Sequence, residues 1–215
     1  MLRSKAKLLI SPLYHLMNKA YIRCMGIRPI IKMGNPILRM NAEVVRPEDV
    51  HSLTSIIPDM ITTMREARGV GLAAPQIGIS LRVIIFEIPS SRATSVKGDQ
   101  PCDVQVLINP KIDPLTSEKE LGWEGCLSIP ELRGEVPRYT RINYTGLDAE
   151  GSPVTSYAAN FHARVVQHEV DHLNGILYPE RMLDLTRLGY IDEFARAQET
   201  HTLRNDITRD GNDNG

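Results

Sequence analysis

The spacing of apolar residues changes several times along this chain, and each change predicts a secondary-structure element. Apolar residues recur at helical intervals from Leu53 to Met64, which predicts a helix that either begins just before Pro58 or kinks there. Runs rich in valine and isoleucine at 81–88 and 104–112 predict two strands joined by a polar loop. The first half of the chain therefore mixes helical and extended structure.

The second half predicts a β-hairpin followed by a second helix. Residues 138–147 alternate apolar and polar side chains, and a turn at 148–151 leads to a partner strand at 153–158. Apolar residues at i, i+4 and i+7, from Val166 to Leu173, then predict a short helix that buries this stripe in the core. A further short helix is predicted around 185–197.

The helix after the hairpin also carries a His-Glu-x-x-His pattern. His168 and His172 lie four residues apart, so their imidazoles leave the helix about 40° apart and can bind one metal ion. Glu169 points about 100° away from His168, close to such an ion and placed to take a proton from water. Asn174 and Gly175 end the helix, since both tolerate left-handed backbone.

A glycine-rich stretch at 69–78 is predicted to be a loop. A phosphate-binding loop is excluded because no Lys-Ser/Thr pair follows the glycines and the strand, loop, helix order is missing. The remaining interpretation is a loop that brings backbone amides and the Gln76 side chain close to a substrate, an approach that glycine permits.

Composition narrows the class of protein. The 215 residues are 42% hydrophobic and 24% charged, as in an ordinary globular domain. The net charge of -1 and the pI of about 6.6 give no overall basic field, so direct nucleic-acid readout is not expected, and any ribosome contact would need a local patch. There is no apolar run of about 18 residues, so no membrane span is predicted.

The ends of the chain differ from its middle. Residues 1–24 are basic and contain no acidic residue, which fits a mitochondrial transit peptide, a start upstream of a true beginning at Met25, or a helix lying on the domain. Residues 25–200 are predicted to be one catalytic domain. Residues 201–215 are polar and are predicted to be disordered.

Three cysteines are too few and too scattered for a disulfide framework, which favours a reducing compartment. Two histidines need a third protein ligand to hold a catalytic metal with one position open for water. Cys126 is the best candidate, because Cys24 lies in the basic leader and Cys102 in the polar loop. The alternative for Cys126 is a small buried apolar residue.

Three segments together resemble the three motifs of the peptide deformylases, in the same order and spacing. They are Gly69-Val-Gly-Leu-Ala-Ala-Pro-Gln76, Glu124-Gly-Cys-Leu-Ser128 and Gln167-His-Glu-Val-Asp-His172. A lone His-Glu-x-x-His is a weak signal, whereas the three motifs together are specific. The resemblance extends from about Met25 to about Met182, and it looks most like the bacterial enzymes.

The resemblance implies a role for each matching residue. The metal ligands would be Cys126, His168 and His172. Glu169 would be the general acid and base, and Gln76 with the backbone N–H of Leu127 would bind the oxyanion. Substrate binding would fall to Gly71 through its backbone, to Val70, Phe161 and Val165 in a methionine pocket, and to Arg133 nearby. His162 would have no such role and would be a surface residue or a helix residue with its own partner.

The implied protein is an α+β enzyme with antiparallel sheets packed around a central metal-binding helix. It would remove formate from the N-terminal N-formylmethionine of nascent polypeptides, using Fe²⁺, with Zn²⁺, Ni²⁺ or Co²⁺ able to substitute. By ligand type alone, zinc would be expected. The compartment would be the bacterial cytoplasm, or the mitochondrion if the leader is a transit peptide. The ribosome near its exit tunnel is a possible partner.

Two alternatives explain the histidine pair differently. A zinc peptidase would take its third ligand downstream of the helix, where Glu180 and His201 are available. A purely structural metal site would have a fourth protein ligand and no need of Glu169.

Overall fold

The computed structural model describes residues 26–197. The predicted basic leader and the predicted polar tail lie outside this range. The structure contains two α-helices, α1 (Ile56–Glu66) and α2 (Asn160–Leu173). It also contains a helical segment at 191–197 and several 3-10 turns. The strands are β1 (Gly71–Ala73), β2 (Val83–Ile88), β3 (Cys102–Pro114), β4 (Lys119–Cys126), β5 (Ile129–Tyr139), β6 (Arg141–Leu147), β7 (Pro153–Ala159) and β8 (Leu188–Tyr190).

The strands form two antiparallel sheets. The larger sheet has the order β1-β2-β3-β6-β7, and the smaller has the order β4-β5-β8. Helix α2 contacts β1, β2 and β7 of the larger sheet and β5 of the smaller one. This confirms the predicted α+β class, with antiparallel sheets around a central helix.

Strand β2 is apolar at almost every position because both of its faces are covered. Ile84 and Phe86 pack in the cluster that contains the apolar stripe of α2. Val83 and Ile85 point the other way, into the cluster beneath α1. Since side chains alternate along a strand, these two sets face opposite sides of the sheet. The larger sheet therefore supports both helices.

Helix α1 begins at Ile56, so the first of the two alternatives for Pro58 is confirmed. The proline lies in the first helical turn, where its missing N–H has no intrahelical acceptor in any case. The preceding residues, Pro47–Ser55, form a 3-10 helix instead of extending α1.

Helix α2 is buried on most sides, as predicted. Ten of its 14 residues are buried, and Val166 and Leu173 are fully so. Asn174 caps its C-terminus, and Gly175 follows with φ of +69°. A side chain at Gly175 would also meet the Arg39 carbonyl carbon at 2.7 Å. The predicted stop signal is thus confirmed, and close packing adds a second need for glycine.

Three parts of the strand prediction were incomplete. The predicted loop at 69–78 contains strand β1 and the 3-10 turn Ala74–Ile77, because Gly71–Ala73 pairs with β2. No strand was predicted at 122–130, but these residues belong to the β4–β5 hairpin. Half of the residues of β4 are exposed and the strand contains two glycines, so it shows no apolar alternation. The predicted helix at 185–197 is interrupted: Leu185–Arg187 forms a 3-10 turn and 191–197 is helical, because Leu188–Tyr190 between them pairs with β5 as β8. Pairing with a distant strand overrode the local pattern there.

None of the helices in residues 26–197 combines the length and the apolar content that a membrane crossing requires.

Candidate metal centre and active site

Strand β4 and helix α2 bring three metal-binding side chains together. The donor atoms of Cys126, His168 and His172 all lie within 4.8 Å of one another, and Cys126 Sγ is 3.3 Å from His172 Nε2. The histidines share one face of α2 because they are four residues apart. Cys126 ends β4, where the hairpin register shifts after Gly125. One thiol and two imidazoles fit a divalent transition metal such as zinc or iron.

The electrostatics of the two imidazoles differ. Burial, followed by the neighbouring positive charge of His168, holds the pKa of His172 well below its usual value, so this ring is neutral and ready to be a ligand. Burial also acts to lower the pKa of His168, but hydrogen bonds with Cys126 and Glu124 outweigh it and raise that pKa. Metal binding needs a neutral imidazole, so a metal ion would displace a proton from His168.

Glu124 orients the first histidine. Its Oε2 lies 2.8 Å from His168 Nδ1. Burial disfavours the charged carboxylate, but hydrogen bonds to His168 and Arg138 outweigh it and hold the pKa of Glu124 well below its usual range. An ionised carboxylate accepts, so Nδ1 carries the proton and the Nε2 lone pair is available to a metal.

A chain of buried ion pairs supports this contact. Arg138 donates to both oxygens of Glu124, at 2.8 and 3.0 Å, and to Asp171 at 2.5 Å. Arg164 also reaches Glu124, at 3.0 Å, and Arg181 holds Asp171 from the far side. Two strands and α2 are thereby locked together around the histidines.

Sequence reasoning missed these supporting residues. Glu124 and Asp171 lie inside two of the three motifs quoted for the family resemblance, so the sequence contained the signal although no role was predicted for either residue. No sequence pattern pointed to Arg138, because only the pairing of β4 with β5 and the position of α2 place it beside the carboxylates of Glu124 and Asp171.

Gln76 is fixed beside the thiol. Its Oε1 accepts from the Ala73 N–H at 2.8 Å, and its Nε2 donates to Ser128 Oγ at 3.2 Å and to Cys126 Sγ at 3.5 Å. The side chain is only 2% exposed. The first bond determines which end of the amide faces the thiol, so the N–H₂ group is presented to the site.

Glu169 is buried against β1. Its Oε2 has no hydrogen-bond partner within the part of the chain that the structure describes. A Cβ atom at Gly71 would lie 2.2 Å from Oε1, so only glycine leaves room for this carboxylate. Burial raises the pKa of Glu169 to about 7, which places its proton affinity near neutrality.

One cavity of about 680 Å³ connects these groups. Gln76, Cys126, Leu127, His168 and Glu169 line it. The five residues expected to bind substrate also line it, namely Val70, Gly71, Arg133, Phe161 and Val165. The structure therefore brings together in one cavity residues that are up to about a hundred positions apart in sequence. His172 lies behind the lining, among the metal-binding group.

Residues outside the cavity bear on the alternatives that the sequence left open for His162 and for the metal site. His162 is buried, with its Nε2 3.3 Å from the Tyr144 hydroxyl, so it is a helix residue with its own partner and not a surface residue. Glu180 pairs with Arg39 and accepts from the Leu177 N–H, which leaves it no part in the metal-binding group. His201 lies outside the described residues. Within residues 26–197, the metal-binding group holds three donors and not four.

Comparisons with known proteins agree with this geometry. The family model described as Polypeptide deformylase matches residues 27–188. Peptide deformylase 2 of Ralstonia nicotianae is 52% identical over 166 residues, covering 77% of this chain and 93% of that protein. Peptide deformylase 1 of Nitrosomonas europaea is 51% identical with the same coverage.

Solved structures show the same similarity in three dimensions. The Met-Ala-Ser-bound class I type b peptide deformylase from Acinetobacter baumannii has a TM-score of 0.66 and 41% identity, covering 73% of this chain and 98% of that one. The peptide deformylase from Thermotoga maritima has a TM-score of 0.65 and 37% identity, covering 74% and 99%. This chain is a member of the peptide deformylase family.

Proposed function

We propose that this chain hydrolyses the N-formyl group of formylmethionyl nascent polypeptides and that Cys126, His168 and His172 hold the metal on which the reaction depends. One observation carries the proposal: Cys126 and His168 of the three-donor group line the same cavity as the Gln76 amide and Glu169, whose Oε2 is unpartnered within the described chain, and His172 lies just behind that lining. A three-donor set leaves one coordination position for water, as a catalytic site requires.

The metal we propose is Fe²⁺, with Zn²⁺, Ni²⁺ or Co²⁺ able to replace it. When bound, it supplies a Lewis acid that lowers the pKa of water from about 16 toward about 7. The donor set supports a divalent ion that accepts both thiolate and imidazole. The choice of iron rests on the family resemblance.

Glu169 is the proposed general base and general acid. Its unpartnered Oε2 can accept the proton of the attacking water, and its raised pKa lets it return that proton to the departing amine. The water oxygen forms a bond to the formyl carbon and the carbon–nitrogen bond breaks, leaving formate and a free N-terminal amine. Without the proton the amine would be too basic to depart.

Gln76 and the backbone N–H of Leu127 are the proposed oxyanion donors. The Gln76 side chain is held at both ends, because Oε1 accepts from the Ala73 N–H and Nε2 donates to Ser128 Oγ, so the amide needs no reorganisation as negative charge grows on the formyl oxygen. Each such donor contributes about 3 kcal/mol in comparable sites. Leu127 follows Cys126 directly, which places its amide beside the metal-binding group.

The substrate would lie along β1. This strand is at the edge of the larger sheet, and Val70 and Gly71 line the cavity, so a peptide can add as a further strand through the Gly71 backbone. Val70, Phe161 and Val165 then form the methionine pocket, with Arg133 at a later substrate position. The structure of the Acinetobacter baumannii relative with Met-Ala-Ser bound supports a peptide as the ligand of this chain.

We further propose residues 25–200 as one catalytic domain, with 1–24 and 201–215 outside it. A nascent-chain substrate makes the ribosome near its exit tunnel a candidate partner. The proposed compartment is the bacterial cytoplasm, or the mitochondrion if residues 1–24 are a transit peptide.

Formate release tests the function. Protein prepared without oxygen and loaded with Fe²⁺ or Ni²⁺ is given formyl-Met-Ala-Ser and, separately, the unformylated peptide. We expect formate from the first and no cleavage of either peptide backbone. Glu169→Ala should keep its metal and lose nearly all turnover. Cleavage of peptide bonds would favour the peptidase, and full metal occupancy without formate would favour a structural site.

A further inference from the structure

The outer part of the active-site cavity carries three arginines, Arg68, Arg92 and Arg133, which we call the arginine rim. None of them has a carboxylate partner among residues 26–197. Arg164 lines the same cavity but is bonded to Glu124 and to backbone carbonyls. Glu131 is the one exposed carboxylate in this described lining. The rim is therefore a net positive surface at the entrance to the site.

Arg92 is held in position by the structure around it. Its guanidinium lies 4.2 Å from the centre of the Phe161 ring. The loop that carries it is anchored to the start of α2, because Asp99 Oδ1 accepts from the His162 N–H at 3.0 Å and the Gly98 carbonyl accepts from the Ala159 N–H at 2.9 Å. The positive charge of Arg92 is thus fixed over the proposed methionine pocket.

Arg133 is held in a similar way. Its guanidinium lies 5.0 Å from the centre of the Trp123 ring, and Arg187 lies 4.9 Å from the same ring. Arg187 is paired with Glu135, whereas Arg133 faces the cavity. An aromatic platform keeps a guanidinium in place without neutralising its charge.

Arg68 occupies a position that usually favours glycine. It follows the C-terminus of α1 with φ of +55°, and its N–H bonds to the Arg65 carbonyl at 2.9 Å. Glycine or asparagine ends helices in this conformation at lower cost than arginine. The backbone therefore does not explain an arginine here, and its exposed side chain lines the cavity.

We propose that the arginine rim makes this enzyme select formyl peptides with an acidic side chain downstream of the methionine. The inference rests on the proposed deformylase function and adds its substrate preference. A carboxylate entering the cavity would meet guanidiniums that have no carboxylate partner in the described chain. Such complementarity speeds encounter and strengthens the bound state, and it weakens as salt screens the charges.

The test compares three peptides that differ in one side chain: C-terminally amidated formyl-Met-Ala-Glu, formyl-Met-Ala-Gln and formyl-Met-Ala-Lys. Amidation removes the terminal carboxylate, which would otherwise supply the same charge. Each exposed ion pair changes affinity by up to about fivefold. We expect kcat/KM to be about fivefold to tenfold higher for Glu than for Gln at low salt, and lower still for Lys. The ratios should approach one at about 1 M salt, where the Debye length is about 3 Å.

Arg68→Asn should reduce the ratio of Glu to Gln by about twofold to fivefold. Asparagine suits the left-handed conformation, so thermal stability should not fall with it. The matched control is Arg65→Gln, which removes an equal charge three residues earlier, in the last turn of α1. Arg65 is exposed and paired with Glu87 and does not line the cavity, so this variant should keep the wild-type ratio.

Equal rates for the Glu and Gln peptides at low salt would overturn the rim proposal and leave the deformylase intact. An equal loss of selectivity in Arg65→Gln and Arg68→Asn would also overturn it, since overall charge would then be the cause. Hydrolysis of none of the three peptides by metal-loaded protein would instead remove the proposed function, and the rim proposal with it.

Discussion

Gly71→Ala tests whether the position of Glu169 is essential for turnover. The added Cβ would lie 2.2 Å from Glu169 Oε1, 2.7 Å from its Cδ and 2.9 Å from its Cγ. Ordinary contact begins at 3.4 Å, so Oε1 must retreat by about 1.2 Å. Gly71 lacks a positive φ, so alanine adds this clash without adding backbone strain.

A misplacement of about 1 Å in a catalytic group costs about 100-fold in rate. We therefore expect Gly71→Ala to lower kcat by about 100-fold, equivalent to about 2.7 kcal/mol in the barrier. The metal should stay, because the three atoms nearest to the new methyl group all belong to Glu169 and none is a proposed metal donor. Formate release gives kcat, and elemental analysis gives metal content.

The matched control is Gly125→Ala. Gly125 also lines the cavity, but a Cβ there would meet only the Leu132 carbonyl oxygen, at an ordinary 3.6 Å. This variant should retain most of its activity and its metal. A Gly71→Ala protein whose kcat stays within threefold of wild type, or falls no further than that of Gly125→Ala, would refute the argument that β1 positions Glu169.

Three further predictions concern the metal and the buried carboxylates. Cys126→Ala should lose the metal in elemental analysis, since two histidines alone hold it poorly; full retention would contradict the ligand assignment. Glu124→Gln should weaken metal affinity by about 10- to 100-fold in chelator competition, because His168 loses its oriented proton acceptor, whereas Glu135→Gln in the same sheet should not. In metal-free protein, burial raises the pKa of Glu169 from 4.5 to about 7, so the folded state holds this proton more tightly than the unfolded state. Its contribution to the free energy of unfolding should therefore fall as pH rises from about 4.5 to about 7. In urea unfolding, Glu169→Gln should lack this decrease with pH. The same decrease in the variant and the wild type would contradict the burial argument.

The sequence alone was sufficient for the elements whose signals are local. The His168 and His172 pair and the apolar stripe from Val166 to Leu173 obey the helical period, and Gly175 is a local stop. The hairpin at 138–158 follows from alternation and a turn. The metal ligands and the catalytic groups were predicted from three motifs together, and the structure brings these residues together around one cavity, with His172 just behind its lining.

Tertiary structure alone decided the rest. Strand β4 has little apolar alternation, and β8 forms only because Leu188–Tyr190 pairs with β5. Neither strand can therefore be predicted from its own short stretch of sequence. The contacts of Arg138 with Glu124 and Asp171, and the arginine rim, depend on which strands become neighbours. Sequence patterns report the periodicity of single elements, whereas ion pairs and cavities are set by the distances between them, and chain folding brings residues far apart in sequence to those distances.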